Sequence, residues 1–424
     1  MRQENENTGS DCQRAILVGI QTENEDFDYT MKELMQLVEA AGLLTAGVLT
    51  QKASQIHPAY YMGKGKLEEL KEACEALEAD LVVFNNELSG RQIRNLEEET
   101  GVKVIDRTIL ILDIFASRAV SREGKLQVEL AQLQYRMPRL VGFGKALSGQ
   151  GAGIGTRGPG EKKLETDRRH IARKMNELEK EIRQVRENRK VQRARREKTG
   201  IPVVAIAGYT NAGKSTLMNA LLKIGEKEEK SVFAKDMLFA TLDTAQRSIS
   251  LDTNEEFLLI DTVGFVSRLP HTLVSAFRST LEEILYADLI LHVVDASFPG
   301  HEKNREVADR VLNEIGAGGI RRIYVYNKID LVDNWEDLLP AGKNCLYISA
   351  KTGRNMDSLV EAIREGLFSG RVITELMIPY ARGDVSGYIC RNCRVLHMEH
   401  REEGTYFEAE LSKEDFGRLR PYHI

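Results

Sequence analysis

Short apolar runs recur between residues 15 and 106 at the spacing of a parallel sheet whose strands are joined by helices. The runs at 15–20, 45–49, 80–84 and 102–105 read as strands. The segments at about 29–41, 65–78 and 89–100 carry the apolar spacing of amphipathic helices. No Gly-x-Gly-x-x-Gly follows the first strand, so a dinucleotide site is not indicated there. Gly63-Lys64-Gly65-Lys66 at a helix start is weak evidence for an anion site. From 106 to 137 the pattern turns helical, interrupted near 121–124, and a glycine-rich stretch at 142–160 follows. So much glycine packs no core and is costly to order, which predicts a loop between two long helices. The second of these helices meets no Gly or Pro until Gly200-Ile201-Pro202. Strand and helix then alternate again, and a short tail reads as strands around a turn at Glu402-Glu403-Gly404.

The expected architecture is therefore a multi-domain α/β chain. Its parts are an N-terminal α/β domain (1–106), a long helical-hairpin arm (107–200) with the Gly-rich loop 142–160 at its tip, a mostly parallel sheet with helices on both faces (201–370), and a small C-terminal α+β domain (371–424). The 424 residues, 42% hydrophobic and 29% charged, suit two to four such domains and exclude a disordered or collagen-like chain. No apolar run approaches the roughly 20 residues of a membrane span, and the first residues lack an apolar signal region. A cytoplasmic protein is expected, with peripheral membrane association left open and a monomer as the default.

Five cysteines are too few and too scattered for a disulfide framework. Cys390 and Cys393, followed by His397 and His400, resemble a zinc set. Strand alternation sends the two histidines to opposite faces, so a reduced pair is the better reading.

The net charge of −5 argues against a generally basic surface, but it conceals a segregation. Residues 161–198 hold 15 Lys/Arg against 8 Asp/Glu, a balance of +7 that leaves −12 for the remainder. A solvated helix face is the bland account. An RNA-facing surface is the functional one, favoured by Arg157, Lys162 and Lys163 at the expected tip.

The chemistry becomes specific at 202–216. A buried-strand run leads into Gly208-Tyr209-Thr210-Asn211-Ala212-Gly213-Lys214-Ser215, and Thr216 continues into a helix. This is Gly-x-x-x-x-Gly-Lys-Ser in its strand-loop-helix setting. Backbone N–H groups wrap a phosphate, Lys214 supplies charge to the β and γ phosphates, and the Ser215 hydroxyl ligates Mg²⁺. Asn327-Lys328-Ile329-Asp330 follows another apolar strand. Its aspartate can accept from guanine N1–H and the 2-amino group, which adenine lacks, and such a requirement discriminates by roughly 10⁴-fold. Lys328 would lie along the base and Asn327 would tie the loop, while Ser349-Ala350-Lys351 offers backbone N–H to the guanine O6. GTP, not ATP, is the expected ligand.

Between these loops, Asp261-Thr262-Val263-Gly264 closes a strand. Asp261 would hold Mg²⁺ through water, and the Gly264 N–H would meet the γ-phosphate. In Phe239-Ala240-Thr241-Leu242-Asp243, Thr241 is the candidate second protein ligand to the metal. Lys214, Thr241 and Gly264 are the catalytic candidates. The next residue, Phe265, can neither donate to nor accept from an attacking water, so slow intrinsic hydrolysis and help from a partner are expected.

This ordered set resembles the translation-factor class of P-loop GTPases. The motifs at 208–216, 238–243 and 261–265, together with the Gly-rich 153–161, resemble the HflX family along nearly the whole chain. The resemblance implies a ribosome-associated GTPase that binds the large subunit, splits ribosomes and directs its arm toward ribosomal RNA. Two other classes remain open: an ATP-driven RNA-remodelling enzyme working through the N-terminal domain, and a GTP-dependent ribosome-assembly or signalling scaffold.

Overall fold

In the computed structural model of the chain, the residues described are 12–22, 27–142, 159–197, 201–225, 245–251, 255–262, 264–265, 282–335, 344–368 and 372–424. Most of the Gly-rich loop, residues 143–158, and residues 239–243 therefore lie outside them. The described residues contain thirteen strands. Contacts divide the chain into two compact units, one made mainly of residues 1–191 and the other mainly of 192–424.

The first unit holds a four-stranded parallel sheet in the order β2-β1-β3-β4, formed by β1 (Arg14–Gln21), β2 (Leu44–Lys52), β3 (Leu81–Phe84) and β4 (Lys103–Asp106). Helices α1 (Phe27–Ala40), α2 (Lys64–Ala76) and α3 (Gly90–Thr100) make the crossovers. The inner strands β1 and β3 are almost wholly buried, as continuous apolar runs in a covered parallel sheet should be, and the edge strand β2 is largely exposed. Helix α3 starts on a capping box in which Ser89 and Gln92 satisfy each other's backbone N–H groups.

The sequence reading assigned the next helix, α4 (Arg107–Arg118), to the arm, but it packs against α1. Its Leu110, Ile111, Ile114 and Phe115 are buried, and Asp106 caps it by accepting from the Ile109 N–H at 3.0 Å. Four apolar side chains on one face belong to a core. The hairpin proper consists of α5 (Arg122–Arg136) and α6 (Pro159–Glu197). Leu130, Leu178 and Ile182 form its seam, and the ion pairs Arg122–Glu181 and Lys174–Glu129 set the two helices antiparallel. Helix α5 also packs on α4, which anchors that helix of the hairpin to the sheet domain. At the far end of α5, Arg139 stacks on Tyr135 at 3.4 Å and donates to the Leu88 carbonyl at 3.2 Å. The base of the Gly-rich segment is thus pinned to the sheet domain.

The second unit is built on a six-stranded sheet, order β10-β9-β8-β5-β7-β6, parallel except for β6 against β7. Its strands are β5 (Val203–Gly208), β6 (Ala245–Ser250), β7 (Glu256–Asp261), β8 (Leu289–Asp295), β9 (Arg321–Asn327) and β10 (Cys345–Tyr347). Helices α7 (Lys214–Ile224), α8 (His301–Glu314) and α9 (Met356–Phe368) pack on it. The C-terminal strands β11 (Val372–Ile378), β12 (Arg394–Arg401) and β13 (Gly404–Leu411) form an antiparallel sheet, order β11-β13-β12. Helices α10 (Gly383–Asn392) and α11 (Lys413–Arg418) accompany it. Cys393 is buried and Cys390 exposed, while His400 bonds to the Thr405 hydroxyl at 3.1 Å. Among the described residues, no three His, Cys, Asp or Glu side chains are grouped to hold a metal. Glu255, fully buried, joins the two sheets: Arg364 of α9 reaches it at 2.8 Å and Arg394 of β12 at 3.6 Å.

The first unit has its own buried ion pair. Arg107 and Glu33, each 3% exposed, bond directly, and Arg107 also donates to Asn85 at 3.1 Å. Removing one partner leaves the other charge buried and costs about 3–5 kcal/mol. Arg107→Leu is therefore expected to destabilise the four-stranded domain by that amount, and Arg107→Leu with Glu33→Leu to recover most of it. Hydrogen exchange across α1 and α4 in the full chain measures both; equal destabilisation in the single and double variants would contradict the pairing.

Candidate functional site

The ends of β5, β7 and β9 lie at one edge of the same parallel sheet, and the predicted loops leave from that edge. The first loop needs its glycines. Gly208 (φ +150°) passes so close to the Val293 carbonyl of β8 that a Cβ would overlap it. Gly213 (φ +88°) presses against the Asn327 amide. Asn211 also adopts a left-handed backbone, φ 60°. Tyr209, Thr210 and Ala212 are buried and Thr216 half-buried.

The loop is held mainly by backbone bonds. The Phe265 N–H donates to the Gly208 carbonyl at 3.1 Å, and the Thr210 N–H donates to the Phe265 carbonyl at 2.7 Å. This ties the phosphate loop to the segment after Asp261. Gly264 sits where a side chain would crowd Lys214 Nζ and Thr210 Cα, at 2.8 and 2.9 Å. Thr262, fully buried, donates its hydroxyl to the Ile206 carbonyl at 2.7 Å. Val263 lies outside the described residues, as do Phe239, Ala240, Thr241, Leu242 and Asp243.

Lys214 and Ser215 open α7. The lysine ammonium donates to the Tyr209 carbonyl at 2.8 Å and the Gly208 carbonyl at 3.2 Å. Burial pushes its pKa down to about 8; Asp261 opposes that fall and Lys328 adds to it. The Ser215 hydroxyl donates to Asp261 Oδ2 at 3.0 Å. Two hard oxygen donors thus meet at the strand end, a set that fits a small divalent cation.

The predicted base-recognition residues converge as well. Asn327 donates from Nδ2 to the Ala212 carbonyl at 2.9 Å and accepts from the Ala350 N–H at 2.9 Å. One amide therefore bridges the phosphate loop and the Ser349–Ala350 loop. Ser349, fully buried, donates its hydroxyl to Asp330 Oδ1 at 2.6 Å, which steers an otherwise exposed carboxylate. Ile329 is buried and Lys351 exposed. Lys328 pairs with Asp295 at the end of β8. Sequence reasoning passed over Asp295, although an apolar strand ending in Asp at this sheet edge, as β7 also does, is a readable signal.

Three family models match consecutive parts of the chain. They are described as GTP-binding GTPase N-terminal (residues 28–116), GTP-binding GTPase Middle Region (118–196) and 50S ribosome-binding GTPase (203–328). The GTPase HflX of Caldanaerobacter subterraneus subsp. tengcongensis is 49% identical over 99% of this chain and 96% of its own length. The GTPase HflX of Escherichia coli (strain K12) is 43% identical over 85% of this chain and 84% of its own. Among solved structures, a GTP-binding protein from Sulfolobus solfataricus in complex with GDP covers 84% of this chain and 99% of that chain, with 24% identity and a TM-score of 0.46.

A lysine held near pKa 8 is only about half protonated at pH 8. Phosphates beside it restore the full charge and raise the pKa again, so binding must take up a proton. GDP binding at pH 8 is expected to take up a fraction of a proton, read as a difference in calorimetric enthalpy between two buffers of unlike ionisation heat. Identical enthalpies would contradict the assignment of Lys214 to the phosphates.

Proposed function

Because this chain belongs to the HflX family of GTPases, we propose that it binds the large ribosomal subunit and couples GTP binding and hydrolysis to ribosome dissociation or recycling. One observation carries the mechanistic part. The Phe265 ring is 1% exposed, and both its backbone groups are bonded to the phosphate loop. A buried phenyl neither donates to nor accepts from an attacking water, so this position cannot orient one. A partner that completes the site accounts for a GTPase built this way, and the family description of 50S ribosome binding supports the large subunit as that partner.

In this reading, Lys214 binds the β and γ phosphates and the Gly264 N–H meets the γ-phosphate. Asp330 and the Ala350 N–H read guanine. Ser215, with Asp261 acting through water, would hold Mg²⁺, and Thr241 would be a further ligand. The metal, when bound, offsets the negative charge of the phosphates. The α6 side of the hairpin faces RNA: Arg168, Arg169, Arg173, Lys180 and Arg183 are exposed along it, and phosphate contacts of this kind dominate RNA affinity.

If GTP favours the RNA-bound arm, the ribosome must tighten GTP by the same factor, ~1–3 kcal/mol for a useful switch. Single-turnover hydrolysis is expected on the order of 10⁻⁴ to 10⁻² s⁻¹ without the ribosome and faster with large subunits. Equal rates would remove the partner-assisted mechanism. Subunit profiles of intact ribosomes with GTP, GDP and ATP test the splitting itself: ribosomes left whole by GTP would favour a scaffold, and splitting by ATP that survives Lys214→Ala would favour the ATP-driven enzyme.

Replacing Arg193, Arg195 and Arg196 together by Gln is expected to weaken ribosome binding and flatten its salt dependence by a slope of about one per lost phosphate contact. An unchanged slope in pelleting assays at several salt concentrations would return this end of α6 to an ordinary solvated face.

A further inference from the structure

The Lys328 side chain is held in place by the protein itself. Its Nζ lies 2.7 Å from Asp295 Oδ2, and the two side chains are only 18% and 19% exposed. The partnership is built into the sheet: Asp295 ends β8 directly opposite Asn327, which ends β9. The carboxylate is also oriented. Its other oxygen, Oδ1, accepts from the Ser297 N–H at 3.1 Å and from the Ser297 hydroxyl at 2.6 Å, leaving Oδ2 to the lysine. On the opposite side, the backbone of Lys328 is fixed in a left-handed conformation, φ 67°, between Asn327 and the buried Ile329.

We infer that Asp295 is a positioning residue for nucleotide binding: it holds the Lys328 stem as a preordered wall of the guanine pocket. The inference rests on reading Asn327-Lys328-Ile329-Asp330 as the base site. Lysine loses more rotamer freedom on immobilisation than most side chains. A lysine already tethered at its ammonium presents its methylenes to the base without that loss on binding, which is preorganisation in the usual sense. A carboxylate serves where a neutral acceptor would not, because charge-assisted hydrogen bonds are about twice as strong as neutral ones. Asp295 acts through Lys328 and touches no reacting atom, so its effect belongs in affinity rather than in the chemical step.

A double-mutant cycle in the full-length chain tests this, using Asp295→Asn, Lys328→Met and the pair, with equilibrium binding and dissociation of fluorescent GDP as readouts. Asp295→Asn is expected to weaken GDP about tenfold through faster dissociation, with the single-turnover hydrolysis rate at saturating GTP within twofold of the parent. In the Lys328→Met background the same substitution should change GDP affinity by less than twofold. Inosine diphosphate, which keeps N1–H and lacks the 2-amino group, should lose the same factor as GDP, because the lysine stem lies against the base without reading its exocyclic group. Equal losses from Asp295→Asn in both backgrounds would make Asp295 merely structural and overturn the inference. So would a loss confined to GDP, or no loss in the parent chain while Lys328→Met does weaken GDP. If Lys328→Met itself leaves GDP affinity unchanged, the base-site reading fails and the inference with it. Thermal unfolding of each variant identifies any loss of affinity caused by a folding defect.

Discussion

A phosphate loop works only if its backbone N–H groups stay available for the ligand, so the loop must be held by something other than its own ladder of hydrogen bonds. Here neighbouring segments hold it. The backbone of Phe265 bonds it on one side, and the Asn327 amide bonds it at Ala212 on the other. Gly208 lets its first residue lie directly on β8. Most of the site follows from that requirement. Because Asn327 also accepts from Ala350, the base-recognition loops share one rigid frame with the phosphate loop. Phe265 belongs to this frame through its backbone, and its ring is buried as well, so it is unavailable for chemistry.

Much of the architecture was legible because a parallel sheet covered on both faces demands continuous apolar runs. The run read at 15–20 lies within β1, that at 45–49 within β2, and those at 80–84 and 102–105 start one residue before β3 and β4 and overlap them. The phosphate loop was legible for another reason. Its glycines answer to steric demands that no other residue meets, and the structure puts those demands at Gly208 and Gly213, against Val293 and Asn327. The spacing of such a motif therefore carries geometry with it. Asn327, read as the residue that ties the loop, bonds to two loops at once.

What escaped the sequence depends on contacts between distant segments. Helix α4 reads as an arm helix by periodicity, because an amphipathic face looks the same whichever surface covers it. Only its packing on α1, with Arg107 reaching Glu33 seventy-four positions earlier, shows which core it joins. Asp295 escaped for a similar reason. Its place at the end of an apolar strand is readable, but its pairing with Lys328 arises only when β8 and β9 lie side by side.

The buried charges share a logic that stability alone does not explain. A well-packed apolar group often holds two elements as firmly as an ion pair, since burying charge costs several kcal/mol that the pairing only partly returns. An apolar contact, however, tolerates sliding, whereas a guanidinium and a carboxylate must meet along defined directions. Glu255 is fully buried where Arg364 of α9 and Arg394 of β12 converge, and Arg394 is held in turn by Glu410 at 3.2 Å. That chain of contacts fixes the C-terminal sheet to Glu255, the residue just before β7. Since β7 ends in Asp261, it also gives that sheet a definite register against the strand that carries one of the site's acidic groups. Directionality at such a junction is a property that hydrophobic packing would not supply.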